Sequence, residues 1–152
     1  MLKLSRLTDY GTVLLAYMAR DPAARHRASE VASATRLGEA TVRKLLKRLA
    51  RGGVVVSHRG AHGGYSLARA PELITAVQVI DALEGPVALT ACSGEHHTCS
   101  FERSCAINHN WQAISGAVRA ALQAVTLAEL ARPAPRAAPL RFHPRAARKG
   151  SA

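Results

Sequence analysis

The chain has 152 residues, 48% of them hydrophobic and only 4% aromatic, with a formal net charge of +11. That length suits one domain plus appendages, with a core drawn mostly from Leu, Val and Ala, and no apolar run approaches the roughly 18 residues of a membrane span. The opening MLKLSRLTDYG enters an amphipathic pattern without the apolar stretch and cleavage site of a secretory signal, so a cytoplasmic protein with reduced thiols is expected.

Tyr10, Val13, Leu14, Tyr17 and Met18 recur at helical spacing and predict a first helix from about Leu7 to Arg20, ended by Asp21-Pro22. Ser29 to Thr35 reads as a short helix with Ser29 as N-cap. Arg36-Leu37-Gly38 supplies a turn, and a third helix runs from about Glu39 to Arg51, where Gly52-Gly53 stops it. Val54 to His58 is a β-branched run, followed by the glycine-rich RGAHGG and then Tyr65 to Ala68, which predicts a hairpin. Helix, helix, turn, helix and hairpin in that order form a winged helix-turn-helix. A fourth helix is expected over Thr75 to Glu84, closed by Gly85-Pro86.

Further on, Trp111, Ile114, Val118, Leu122 and Val125 are spaced 3, 4, 4 and 3 apart, close to a coiled-coil seam. Ala117, Ala120, Ala121 and Ala124 between them would allow close helix approach, so this late helix is expected to pair with its twin. The alternative is packing against its own domain. The fold class is therefore mainly α with a small β-hairpin. The expected division is 1–84 as a winged helix-turn-helix, 85–109 as a cysteine-containing loop, 110–131 as a dimerisation helix and 132–152 as a disordered basic tail.

Charge is unevenly spread along this plan. From Arg132 onward there are six basic residues and no acid, which leaves +5 for the rest of the chain. Arg36 to Arg59 then holds seven Lys or Arg against Glu39 alone. Within the third helix Val42, Leu45, Leu46 and Leu49 form a narrow apolar stripe, and Ala40, Lys44, Lys47 and Arg51 occupy the opposite side, flanked by Arg43 and Arg48. A helix with one apolar side and one cationic side suits the major groove of a double-stranded DNA operator. Thr41, Arg43 and Lys44 are the expected base contacts, and Lys47, Arg48 and Arg51 the phosphate contacts. Arg59, on the glycine-rich wing tip, is placed for a minor groove. The competing reading of such a run is a solvated charged face.

The three cysteines, Cys92, Cys99 and Cys105, all lie in the segment CSGEHHTCSFERSC. An odd number cannot pair fully within one chain, which argues against a disulfide framework. Their spacing is too wide for the C-x2-C knuckles of structural zinc. Three thiolates suit an iron–sulfur cluster whose remaining iron position needs another donor. His96, His97 and His109 are near in sequence, with Glu95 and Glu102 as carboxylate options. A zinc site of three Cys and one His, or three simple reduced thiols, are the alternatives. No C-x-x-C pair, phosphate loop or Ser-His-Asp set is present, so no enzyme is expected.

LTDYGTVLLAYMA, the long stretch from TVRKLLKRLARGGVVVSHRGAHGGYSLAR through EGP, the three cysteines and CAINHNWQAISGAVRAALQAVTLAEL together resemble the iron–sulfur winged-helix regulators that include IscR and NsrR. The likeness spans about Met1 to Ala131 and is greatest to the branch that regulates SUF cluster-assembly genes. It implies a homodimer joined by the late helix, with one cluster (2Fe–2S or 4Fe–4S) per subunit held by Cys92, Cys99 and Cys105. IscR-like members complete the site with a histidine three residues after the last cysteine; here that position is Asn108, and His109 follows it. NsrR-like members use an aspartate near the start of the first helix of the other subunit, which implies Asp9. Asp9 is equally an acid well placed near a helix N-terminus. The function the resemblance implies is a cluster-dependent repressor of SUF genes. Nitric oxide or redox sensing, or a zinc-stabilised DNA-binding protein, are the alternatives.

Overall fold

A computed structural model of the chain describes residues 4–60, 62–90, 93, 105 and 107–132. Helix α1 spans Arg6–Met18 and begins where the Ser5 hydroxyl accepts the Leu7 N–H at 3.2 Å. Its inward face is Thr8, Gly11, Leu14, Leu15 and Met18. Helix α2 spans Ala28–Thr35. Ser29 is not its cap: the helix starts one residue earlier, at a point where the Glu30 carboxylate accepts the Arg27 N–H at 3.4 Å. Arg36 then turns the chain in the left-handed region, at φ 57°.

Helix α3 covers Glu39–Arg51, as its apolar period dictates. Strands β1 (Val55–His58) and β2 (Gly64–Leu67) pair antiparallel with Val55 opposite Leu67 and His58 opposite Gly64. A single 3-10 turn, Pro71–Leu73, leads into helix α4, Ala76–Glu84, whose first turn is secured by Gln78 Oε1 accepting the Thr75 N–H at 3.1 Å. Gly85, at φ 101°, ends it. The core is aliphatic, as the scarcity of aromatics requires. Leu14, Leu15, Met18, Val31, Val42, Leu45, Leu46, Leu49, Val54, Ile74 and Leu127 are fully buried.

The single late helix expected over 110–131 is two helices, α5 (Asn108–Gln123) and α6 (Leu127–Leu130). The break has a clear cause. Thr126 and Glu129 form a reciprocal cap, the Thr126 N–H donating to Glu129 Oε2 at 2.7 Å and the Glu129 N–H to Thr126 Oγ1 at 3.2 Å. The residues between the helices pair with the entry to α4: the Ala76 N–H donates to the Val125 carbonyl at 2.8 Å, and the Leu127 N–H to the Ile74 carbonyl at 2.7 Å. Leu127 is thereby pulled into the core. Helix α5 itself buries only Ser115, and Trp111 and Ile114 of its apolar seam are exposed. Among the described residues no helix is long and apolar enough to cross a membrane.

Candidate nucleic-acid interface and cysteine segment

Helices α2 and α3, with the left-handed Arg36 between them, form the helix-turn-helix, and the apolar stripe of α3 fixes which way it faces. With Val42, Leu45, Leu46 and Leu49 fully buried, Ala40, Arg43, Lys44, Lys47 and Arg51 are exposed together on the outer side. Thr41 is half-buried. Two of the cations are already engaged. Arg43 donates through Nε at 3.0 Å and Nη2 at 2.6 Å to one oxygen of Glu39. Arg48 donates through Nη1 to the Leu83 carbonyl at 2.8 Å, which ties α3 to the last turn of α4. The C-terminal end of α3 also lies hard against α4, because a Cβ on Gly52 would meet the Ala82 Cβ at 2.3 Å.

The wing is joined to the segment just ahead of α2 by a further backbone bridge, in which His26 and Tyr65 exchange N–H···O bonds of 2.8 and 2.9 Å. Gly64 permits it: a Cβ there would meet the His26 carbonyl oxygen at 2.8 Å. Behind this bridge the buried His26 ring packs edge-on against Tyr17 at 5.5 Å. Its Nδ1 lies 3.6 Å from Glu30. Partial burial pushes the Glu30 carboxyl up, but the Arg27 N–H, the Tyr17 hydroxyl and His26 outweigh it and hold the group below its ordinary value. The same contact, with Glu30 as acceptor, raises the Tyr17 hydroxyl. At the other end of the wing Arg59 is exposed beside Gly60, which adopts φ 96°. Arg59 thus sits at the far end of the hairpin.

Of the cysteine segment, Cys105 is described, half-buried just ahead of α5, and Cys92 and Cys99 lie outside the described residues, as do His96, His97, Glu95 and Glu102. Among the described residues no three His, Cys, Asp or Glu side chains gather as a metal site. The entry to the segment is nevertheless anchored. Asp81 Oδ1 accepts the Val87 N–H at 3.1 Å, and the buried Ser115 hydroxyl of α5 accepts the Leu89 N–H at 3.4 Å. Asp81 also takes a two-pronged bond from Arg119 of α5, at 2.7 and 3.2 Å, so one carboxylate joins α4, α5 and the segment's entry. At the exit the Asn108 N–H donates to the Cys105 carbonyl at 3.2 Å.

The start of α1 adjoins this segment. Glu84 accepts the Ser5 N–H at 2.8 Å and the Thr8 hydroxyl, and Leu4 shares a shallow cavity with Glu84, Gly85, Pro86, Val87 and Ala88. Hydrogen bonding by Thr8, against partial desolvation and with help from Ser5, holds the Glu84 carboxyl below its usual value. Asp9 is exposed on the first turn of α1, and His109 is exposed on the first turn of α5. By residue type, three thiols with a carboxylate or an imidazole as a further donor would suit an iron–sulfur cluster. Sequence reasoning missed the Asp81–Arg119, Glu84–Thr8 and Arg48–Leu83 contacts, each of which joins residues 35 or more positions apart. The Glu39–Arg43 pair did carry a sequence signal, acid and base four residues apart on one helix.

Comparison with known proteins is consistent with this arrangement. The family described as "Rrf2: Iron-dependent Transcriptional regulator" matches residues 4–133. An HTH-type transcriptional regulator of Aquifex aeolicus is 26% identical over 123 residues, 80% of this chain and 85% of that protein. Among solved structures, CymR (YrzC), the global cysteine regulator of B. subtilis, superposes with a TM-score of 0.65 at 30% identity, covering 86% of this chain and 97% of its own. IscR of T. potens superposes at 0.60 with 28% identity, covering 85% of each chain.

Proposed function

The chain belongs to the Rrf2 family of transcriptional regulators, and from that premise we propose that it is a cytoplasmic homodimeric repressor that carries an iron–sulfur cluster and controls SUF cluster-assembly genes. Regulators of this family bind DNA and commonly dimerise. The observation that carries the cluster reading is the confinement of all three cysteines to one segment whose entry is tied to the helices that support α3. Cys92, Cys99 and Cys105 would hold the cluster, with the partner subunit's Asp9 as fourth donor ahead of His109. Such a cluster supplies a charged, chemically labile centre that is lost on oxidation, nitrosylation or iron shortage.

On the DNA side, α3 enters the major groove. Thr41, Arg43 and Lys44 face base edges, and Lys47, Arg51 and the N–H groups of Arg48 not taken by Leu83 face phosphates. Arg59 reaches the adjacent minor groove from the wing. The exposed seam of α5, with Trp111 and Ile114, is the face offered to the second subunit.

Anaerobic purification with a visible spectrum and iron and sulfide assays, followed by binding to the SUF promoter with and without cluster, tests the reading. A coloured protein whose promoter affinity changes on cluster removal supports it. A colourless protein containing zinc, or one devoid of iron and sulfide after reconstitution, refutes the cluster while leaving the DNA-binding assignment in place. Undiminished cluster absorbance in Asp9→Ala would eliminate that aspartate as a ligand.

A further inference from the structure

Glu39 is the single acid between Arg36 and Arg59, and it stands on the first turn of the helix assigned to the major groove. A bare carboxylate there would repel phosphates. It is not bare: one of its oxygens takes both Nε and Nη2 of Arg43, at 3.0 and 2.6 Å. Those two nitrogens form the side edge of the guanidinium plane. The end-on fork, one N–H on Nη1 and one on Nη2, points away from Glu39, and the Arg43 side chain is 64% exposed. That fork is the edge that fits guanine O6 and N7 together. A surface pair of this kind adds little to helix stability, so its consequence lies in orienting the arginine. An arginine held by one edge loses less rotamer freedom when the other edge binds.

We infer that Glu39 is a positioning residue for base recognition, holding Arg43 in the orientation that reads one guanine. The inference rests on the proposal that α3 lies in the major groove. It makes the preference of this regulator at one base pair depend on a residue that does not itself contact the base.

The experiment is selection from a randomised duplex library with the full-length protein and its Glu39→Ala, Arg43→Ala and doubly substituted variants, with relative affinity measured at every position of the selected site. Arg43→Ala should flatten the G·C preference at one position per half-site. Glu39→Ala should reduce the preference at that same position by about twofold, the most that a pair of this strength can lend to orientation, and the double variant should lose no more than Arg43→Ala alone. The inference is overturned if Glu39→Ala keeps the wild-type preference, if it weakens all positions equally (a general structural role), or if it changes a different base pair, because Glu39 would then read a base itself. A wild-type protein that selects no consensus removes the major-groove proposal along with it, a result distinct from the other three.

Discussion

Gly52 looks in the sequence like a helix stop, but its backbone is at φ −79°, which any residue adopts. The left-handed position is Gly53, at φ 69°. What Gly52 provides is closeness: a Cβ there would lie 2.3 Å from the Ala82 Cβ and 2.9 Å from its Cα. Ordinary carbon–carbon separations begin near 3.5 Å, so Gly52→Ala must drive α3 and α4 apart by about an ångström at this crossing. Neither opposing atom sits on a flexible side chain, so the strain cannot be relieved locally. Overpacking of this kind costs about 1–3 kcal/mol, or a fall of very roughly 4–12 °C in Tm for a domain of this size. The displaced end of α3 carries Arg51 and the Arg48 bond to Leu83, so operator affinity should fall in the same variant. Urea unfolding followed by circular dichroism, with promoter binding measured in parallel, is the assay. Combining Gly52→Ala with Ala82→Gly removes the clash between the two methyl groups but leaves the new methyl pressed on the α4 backbone, and should recover only part of the loss. A Gly52→Ala protein within 0.5 kcal/mol of wild type would refute the reasoning, since surface changes without a packing consequence fall in that range.

Asp81→Ala should destabilise the chain by about 1–3 kcal/mol, because Arg119 and the Val87 N–H lose a shared acceptor; a denaturation midpoint shift is the readout, and Asp81→Asn should fall between. The Glu84 carboxyl, held below its ordinary value by Thr8 and Ser5, contributes stability that is present above the unfolded-state carboxylate range and is lost as pH falls through its lower folded-state value. Glu84→Gln should therefore flatten part of the acid limb of the stability–pH curve and leave the neutral-to-alkaline shape alone; an unchanged acid limb contradicts the contact. Lys47→Ala should weaken operator binding across sequences and lower the salt slope of log affinity by about 1, measured by fluorescence anisotropy at several salt concentrations. Arg59→Ala should weaken promoter binding with cluster content unchanged, and equal affinity would dismiss the wing contact.

Much of this protein was readable from residue order because its elements are set by local periods. Val42, Leu45, Leu46 and Leu49 recur at 3.6-residue spacing, so one helix with one cationic side follows without any knowledge of neighbours. The β-branched run at Val54 to Val56 and the glycines beyond it required a hairpin for the same reason. The break in the late helix was legible as well, in the Thr126-x-x-Glu129 cap, but the apolar spacing through Val125 masked it. The cap prevails because Val125 and Leu127 gain backbone partners at Ile74 and Ala76 as well.

Only the folded chain decided which charges are spoken for. In the sequence nothing sets Arg48 apart from Lys47 or Arg51, yet it is held by the Leu83 carbonyl of another helix. Likewise Asp81, Glu84 and Ser115 carry no signal as residues. They acquire their roles because α4 brings α1, α3, α5 and the entry to the cysteine segment within hydrogen-bonding distance of one another. Periodic burial depends on neighbours a few residues away and so is written along the chain. A hydrogen bond or ion pair between distant residues depends on how helices cross, and that is set by side-chain packing over the whole core.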